Sequence, residues 1–150
     1  MGEPALRVLV KRIDPRAVLP RYARLLDGGL DLASIEDAKI EPGGRCAVGT
    51  GIAIELPAGT IGLVLPRSGR ALAEGLTLAN APGLIDAGYR GEVRVALVNL
   101  GREIVSVHAG DRIAQLVVLA APRVEVIEVA ELSVTERGEG GFGHTGRGAL

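Results

Sequence analysis

The sequence predicts an all-β domain. Apolar residues recur with a period of two rather than 3.6. The apolar stretches are short, and Pro/Gly turn signals separate them at Pro42-Gly43-Gly44, Pro57-Ala58-Gly59, Pro82-Gly83 and Ala109-Gly110-Asp111. Short strands punctuated in this way make a barrel or a sandwich.

The expected elements follow in order. Residues 5–13 read as a strand with Leu6, Val8 and Val10 on one face. Residues 48–56 alternate, interrupted by Gly49 and Gly51, and Thr60–Leu65 is short and apolar. One short helix fits Ser68–Glu74, with Ser68 as its cap and Gly75 as its terminator. Residues 80–92 have the look of a β-hairpin, and 92–100 and 123–129 are β-rich. Residues 113–122 differ. From Leu116 to Ala121 the run is continuously apolar, so this strand is expected to be buried on both faces. A subunit interface and a central place in a two-layer core would each supply that burial. From residue 136 the character changes. Residues 137–148 hold six glycines and almost nothing to pack. Such a segment cannot offset its ordering entropy, so it should be mobile when nothing is bound. The organisation expected is a β domain over 1–136 and a flexible Gly-rich C-terminal arm over 137–150.

Composition narrows the function. A chain of 150 residues suits one domain, and 47% apolar residues suffice for a core. Tyr22, Tyr89 and Phe142 are its only aromatics, so that core must be built from Val, Leu, Ile and Ala. The 17 basic and 18 acidic side chains leave a formal charge of −1. A nucleic-acid binder would show a basic stripe or patch, so no nucleic-acid partner is expected. A bound polyanion must be held locally. Cys46 is the single cysteine, which rules out an intrachain disulfide and leaves no cysteine-based zinc site in view. Glu3, Arg7, Lys11, Arg12, Asp14 and Arg16 break up the first twenty residues, so no signal peptide is expected. Without an apolar run of 18 residues no membrane span is expected either. The expected location is cytoplasmic.

Five stretches combine polar residues with glycines. In Asp27-Gly28-Gly29-Leu30-Asp31-Leu32, two carboxylates flank a sharp turn. Such groups can hold a hydrated Mg²⁺, or simply cap the turn. Pro66-Arg67-Ser68-Gly69 lies at a strand-to-helix junction, where backbone N–H groups and the Arg and Ser donors could cradle a phosphate. Ser at a helix start is also ordinary. In the stretch from Asn80 to Glu92, Asp86 sits between Ile85 and the small pair Ala87-Gly88, where a carboxylate has no obvious structural partner. A hairpin does not require this density of polar residues, which marks the stretch as a candidate site. In Gly110-Asp111-Arg112-Ile113-Ala114-Gln115-Leu116, the Asp-Arg pair could fix the turn, while Gln115 must find hydrogen-bond partners within an apolar strand. In the tail, Phe142 stands between Gly141 and Gly143 and could stack on a planar group, and Arg137 could reach a phosphate. The alternative there is a disordered tail.

In this order the stretches resemble the five motifs of the trimeric dUTPase family. The resemblance runs from about Leu25 to Gly146. Pro-Arg-Ser-Gly, Gly-Leu-Ile-Asp-Ala-Gly-Tyr-Arg-Gly-Glu, Gly-Asp-Arg-Ile-Ala-Gln-Leu and Arg-Gly-x-Gly-Gly-Phe-Gly are weak singly but highly specific in series. The resemblance implies a jelly-roll-like β-barrel and a homotrimer with three active sites, each built from all three subunits. One subunit's arm would close over a pocket between the other two. It implies hydrolysis of dUTP to dUMP and pyrophosphate with Mg²⁺, limiting dUTP and supplying dUMP for dTMP synthesis. Asp86 matches the general base that activates water. Tyr89 matches the residue under the deoxyribose that excludes a 2′-OH. Asn80 and the backbone around Gly83, Leu84, Ile85 and Asp86 match the uracil-binding hairpin. Arg67, Ser68, Gly69 and Gln115 match phosphate contacts, and Arg94 is placed among the substrate-binding residues. Arg137 and Phe142 match the arm's γ-phosphate contact and uracil stack. Asp31 matches an aspartate that reaches the metal through water, the ion being held mainly by the triphosphate.

The sequence departs from the pattern in places. Gly28 replaces the usual Ala, Ala33 stands where an aromatic is frequent, and Arg70 stands where an apolar residue, often Leu, is usual. The related dCTP deaminases share the fold but place a catalytic Glu in the strand after the hairpin. Here that strand, from Val93 to Leu100, has none, and Glu92 fits the dUTPase hairpin. A non-catalytic nucleotide sensor on the same scaffold would have no need of Asp86. His108 and His144 are expected to be surface residues.

Overall fold

A computed structural model describes residues 6–140 of the chain. It consists of ten strands and one helix: β1 (Leu9–Arg12), β2 (Leu30–Ala33), β3 (Ala38–Ile40), β4 (Arg45–Glu55), β5 (Thr60–Leu65), α1 (Ser68–Glu74), β6 (Leu76–Leu78), β7 (Gly83–Asp86), β8 (Glu92–Asn99), β9 (Val105–Val107) and β10 (Arg112–Ala120). Two four-stranded sheets run in the orders β1-β4-β8-β6 and β2-β10-β5-β7, and β3 pairs with β9. Every pairing is antiparallel. Side chains from all three sheets, among them Leu32, Ile52, Val64, Leu97, Val107 and Leu116, meet in one apolar cluster. The sheets therefore close around a shared core, in a jelly-roll-like β fold.

Period-two alternation makes the strands. In β5 and β7 every second residue is buried, and in β8 Val93, Val95, Leu97 and Asn99 point inward. Asn99 is fully buried yet satisfied. Its Nδ2 donates to the carbonyls of Ile40 (2.8 Å) and Glu103 (2.7 Å), and its Oδ1 accepts from the N–H of Gly101 (2.8 Å). Those bonds offset the cost of burying an amide. In β4 the ladder breaks between Gly49 and Ala53. Gly51 there has φ +67, and a Cβ on it would lie 2.9 Å from Cβ of Asp14. The bulge releases two N–H groups from the ladder. The carboxylates of Glu36 and Glu92 accept them, from Gly49 (2.7 Å) and Gly51 (2.9 Å).

Several expectations change. The first strand is shorter than 5–13, and residues 1–5 lie outside the described residues. The helix spans Ser68–Glu74 and ends on Gly75 at φ 75, but its cap is Arg67 rather than Ser68, with no side-chain capping bond. Extended backbone persists through Arg67, which moves Ser68 into the first helical turn. Residues 80–92 are not a ladder hairpin. β7 pairs with β5, whereas β8 pairs with β4 and β6, so the turn between them crosses from one sheet to the other. Residues 123–129 form no strand. Val124, Val126 and Ile127 stand largely exposed, since no sheet edge among the described residues receives this run. In β10 the first half is buried as a central strand between β2 and β5, while Leu119 and Ala120 remain exposed.

Candidate active site

Because β7 and β8 follow each other in sequence but belong to different sheets, an opening remains between them. It is a cavity of about 210 Å³ with Asn80, Gly83, Leu84, Ile85, Asp86, Tyr89 and Arg94 in its lining. β7 is an edge strand. One rim pairs with β5, and the other has no strand partner among the described residues, which leaves its N–H and C=O groups for a ligand. Alternation buries Gly83 and Ile85 and turns Leu84 and Asp86 outward. Among the described residues the Asp86 carboxylate accepts no hydrogen bond and joins no ion pair. Tyr89 closes the turn, its N–H donating to the Asp86 carbonyl (3.0 Å) and its hydroxyl to the Glu92 carbonyl (2.9 Å). The ring lies across Gly91, where a Cβ would come within 2.7 Å of Cζ. That contact accounts for the glycine. Arg94 donates to the Ala47 carbonyl (2.8 Å) and pairs with Glu92 (3.3 Å) and Glu36 (3.7 Å), so it neutralises the carboxylates of the β4 bulge while lining the cavity. Glu92 is thereby committed to backbone and to Arg94.

A second cavity, of about 360 Å³, gathers the first, second and fourth stretches, with Asp27, Asp31, Arg67, Ser68, Gly69, Arg112 and Gln115 around it. Asp31 is the hub. It pairs with Arg112 (3.0 Å) and Arg67 (3.3 Å), and its side chain is only 17% exposed. Gln115 donates from Nε2 to the Pro66 carbonyl (3.0 Å). Its amide lies against Gly29, where a Cβ would come 2.6 Å from Oε1. Gly69 is different, since a Cβ there would meet nothing within 4 Å. Packing does not require that glycine. Asp111 fixes the turn into β10 by accepting the N–H of His108 (3.0 Å).

Asp31 and Asp27 are too few for an all-protein Mg²⁺ cage, and both Asp31 oxygens face arginines, so these residues fit a metal ion only through its bound waters. Sequence reasoning missed Arg112 as a lining residue. The signal lay three residues before Gln115, at the point where the turn enters the strand.

The two cavities share no lining residue. Asp86 pairs with Ile61 at one end of β5, and Gln115 with Leu65 at the other. Four residues of strand separate those positions by about 13 Å, before the sideways step between strands is added. One subunit therefore carries two separate cavities, toward opposite ends of β5. Arg137 stands apart from both, its Nε donating to the Gly140 carbonyl (2.9 Å) in an exposed turn. Phe142, His144 and most of the expected arm lie outside the described residues.

Comparison with known proteins bears on most of the chain. The dUTPase family model matches residues 16–146. A deoxyuridine 5'-triphosphate nucleotidohydrolase of Clostridium kluyveri is 53% identical over 141 residues, which cover 94% of this chain and 99% of the relative. The protein of that name from Corynebacterium diphtheriae is 53% identical over 140 residues, 93% of this chain and 92% of its own. Among solved structures, a variant of the Staphylococcus bacteriophage 80alpha dUTPase with dUpNHpp superposes with a TM-score of 0.89 at 28% identity, covering 94% of this chain and 99% of that one. With the motifs in series and the fold in common, the chain belongs to the dUTPase family.

Proposed function

We propose that this enzyme hydrolyses dUTP to dUMP and pyrophosphate in a homotrimer whose active sites are completed across subunits. The observation that carries this reading is the division of the chemistry. A carboxylate with no ion partner among the described residues lines one cavity and an arginine-rich cradle lines another, and the two share no lining residue. Juxtaposing the hairpin cavity of one subunit with the cradle of its neighbour would unite them. Apolar surface supports an assembly of this kind. A groove of about 480 Å³ is lined by Leu6, Val8, Val10, Leu30, Leu116 and Val118. Val124, Val126, Ile127, Leu132 and Val134 are exposed in the segment after β10. A lone soluble subunit rarely leaves this much apolar surface uncovered.

In this reading the free rim of β7, with Asn80, takes the uracil edge. Tyr89 lies beneath the deoxyribose, where a 2′-OH would meet the ring. Arg67, Ser68, Gly69 and Gln115 hold the phosphates, and Arg137 and Phe142 come from the arm. Asp86 accepts a proton from a water molecule whose oxygen bonds to the α-phosphorus. The bond from that phosphorus to the bridging oxygen breaks, and pyrophosphate leaves with its electrons. Such a base contributes about 10²–10⁴-fold to rate. Positioning and charge neutralisation by the arginines supply much of the rest. Asp31 would hold a water of the Mg²⁺ ion, which when bound screens the phosphate charge and stabilises the leaving oxygen. The product dUMP would feed dTMP synthesis while dUTP is kept low.

The test is pyrophosphate release from dUTP with and without Mg²⁺, alongside ammonia release from dCTP. The expected result is metal-dependent pyrophosphate and no ammonia. Ammonia release, or inertness toward dUTP, would overturn the reading.

A further inference from the structure

Arg70 follows the Arg67-Ser68-Gly69 cradle and lines the same cavity, yet its guanidinium is occupied by protein groups. Nη2 donates to the Glu74 carboxylate (2.8 Å) and to the carbonyl of Ser106 in β9 (3.0 Å). Nε donates to Glu74 (3.2 Å), and Nη1 lies 3.5 Å from Asp111 Oδ2. Its side chain is only 16% exposed. The helix it anchors needs an anchor. α1 has seven residues, buries none of them and has no side-chain cap. A helix this short does not hold on intrinsic propensity. The group on the far side, Asp111, ends the 108–111 turn that leads directly into Arg112 and Gln115. One guanidinium thus ties both flanks of the cradle together.

We propose that Arg70 is a positioning residue, whose planar fork fixes α1 against β9 and the 108–111 turn. It thereby sets where Arg67, Ser68 and Gly69 stand relative to Asp31, Arg112 and Gln115. Arginine suits this task because several donors leave one rigid plane, which a lysine ammonium cannot reproduce. The proposal rests on the reading of this cavity as the phosphate site.

The experiment compares Arg70→Leu, Arg70→Lys and Glu74→Gln with the unaltered full-length chain, measuring kcat and KM for dUTP and the melting temperature. In Arg70→Leu, KM should rise about tenfold with kcat held within about twofold, as expected when a charge-assisted contact that orders the cradle is lost. Arg70→Lys should keep most of that rise, and Glu74→Gln should show a smaller one. An unchanged KM in Arg70→Leu, even with a lower melting temperature, would overturn the proposal, because the tie would then be merely structural. So would full rescue by lysine, which would make the role one of charge alone. If Arg70→Leu fails to fold, Glu74→Gln decides, and an unchanged KM there counts against the proposal. Calorimetric binding of inorganic triphosphate to the same variants reads the cradle without turnover. A chain inert toward dUTP would defeat the functional reading, while weaker triphosphate binding in Arg70→Leu would still support the role of Arg70.

Discussion

The two cavities treat their charges in opposite ways. In the hairpin cavity Asp86 stands on an edge strand with no ion partner among the described residues, and apolar Val64, Leu78 and Val95 share the lining. In the cradle, Asp31 is held by Arg67 and Arg112, and Arg70 by Glu74 and Asp111. In the proposed mechanism the difference separates two tasks. A group that must take a proton from water cannot spend its oxygens on a guanidinium. Groups that must receive a polyanion are better kept in place beforehand by each other, so less order remains to be imposed when the ligand arrives.

The strongest way to break this contrast is Asp86→Asn. Turnover should fall by about 10²–10⁴-fold while nucleotide affinity and melting temperature stay near wild type. A matching loss of affinity, measured calorimetrically with a non-hydrolysable analogue, would make Asp86 a binding group. Mixing sharpens the same contrast. Arg67→Ala should damage the cradle and leave Asp86 intact. Subunits of Asp86→Asn and Arg67→Ala, unfolded and refolded together, should recover activity in about a quarter of their sites if each site pairs one subunit's hairpin with another's cradle. No recovery would place both halves in one subunit. A milder change is Gly29→Ala, whose methyl would displace the Gln115 amide. Overpacking of this kind costs about 1–3 kcal/mol and should appear mainly in KM, read by steady-state kinetics.

The smallest effect lies outside both cavities. Hydrogen bonds from the Arg16 side chain and backbone N–H hold Asp14 down at about 2, against an ordinary 3.8. A folded-state value below the unfolded one stabilises the fold above the unfolded value, and that contribution is lost as pH falls through about 2. Arg16→Ala should move Asp14 upward in an NMR titration and shift acid unfolding slightly toward higher pH, with kcat and KM at neutral pH unchanged.

What was legible in the sequence was what local chemistry decides. Thr60–Leu65 is short and apolar and forms β5 as expected, and Gly75 ends α1 because its left-handed φ suits glycine. The short strands β2, β3, β6 and β9 went unrecognised, since three or four residues carry too little period to stand out from a turn. Residues 123–129 failed for the reverse reason, because alternation describes a face but does not supply a neighbour to cover it. Asp86 stands out in the sequence as a carboxylate without a structural partner, Asn80 and Tyr89 take their roles from the family resemblance, and the structure brings all three to one cavity. The bulge roles of Glu36, Glu92 and Arg94 were not legible, because they depend on pairing between distant strands.

The scarcity of aromatic side chains has a practical side. The chain has no tryptophan, and both of its tyrosines are within the described residues. Tyr89 borders the hairpin cavity and Tyr22 borders the apolar groove. Its ultraviolet emission therefore comes from two probes, one in the cavity that holds Asp86 and one at the apolar groove proposed to join subunits. Replacing either with phenylalanine would leave a label-free optical reporter for a single event, nucleotide capture or assembly.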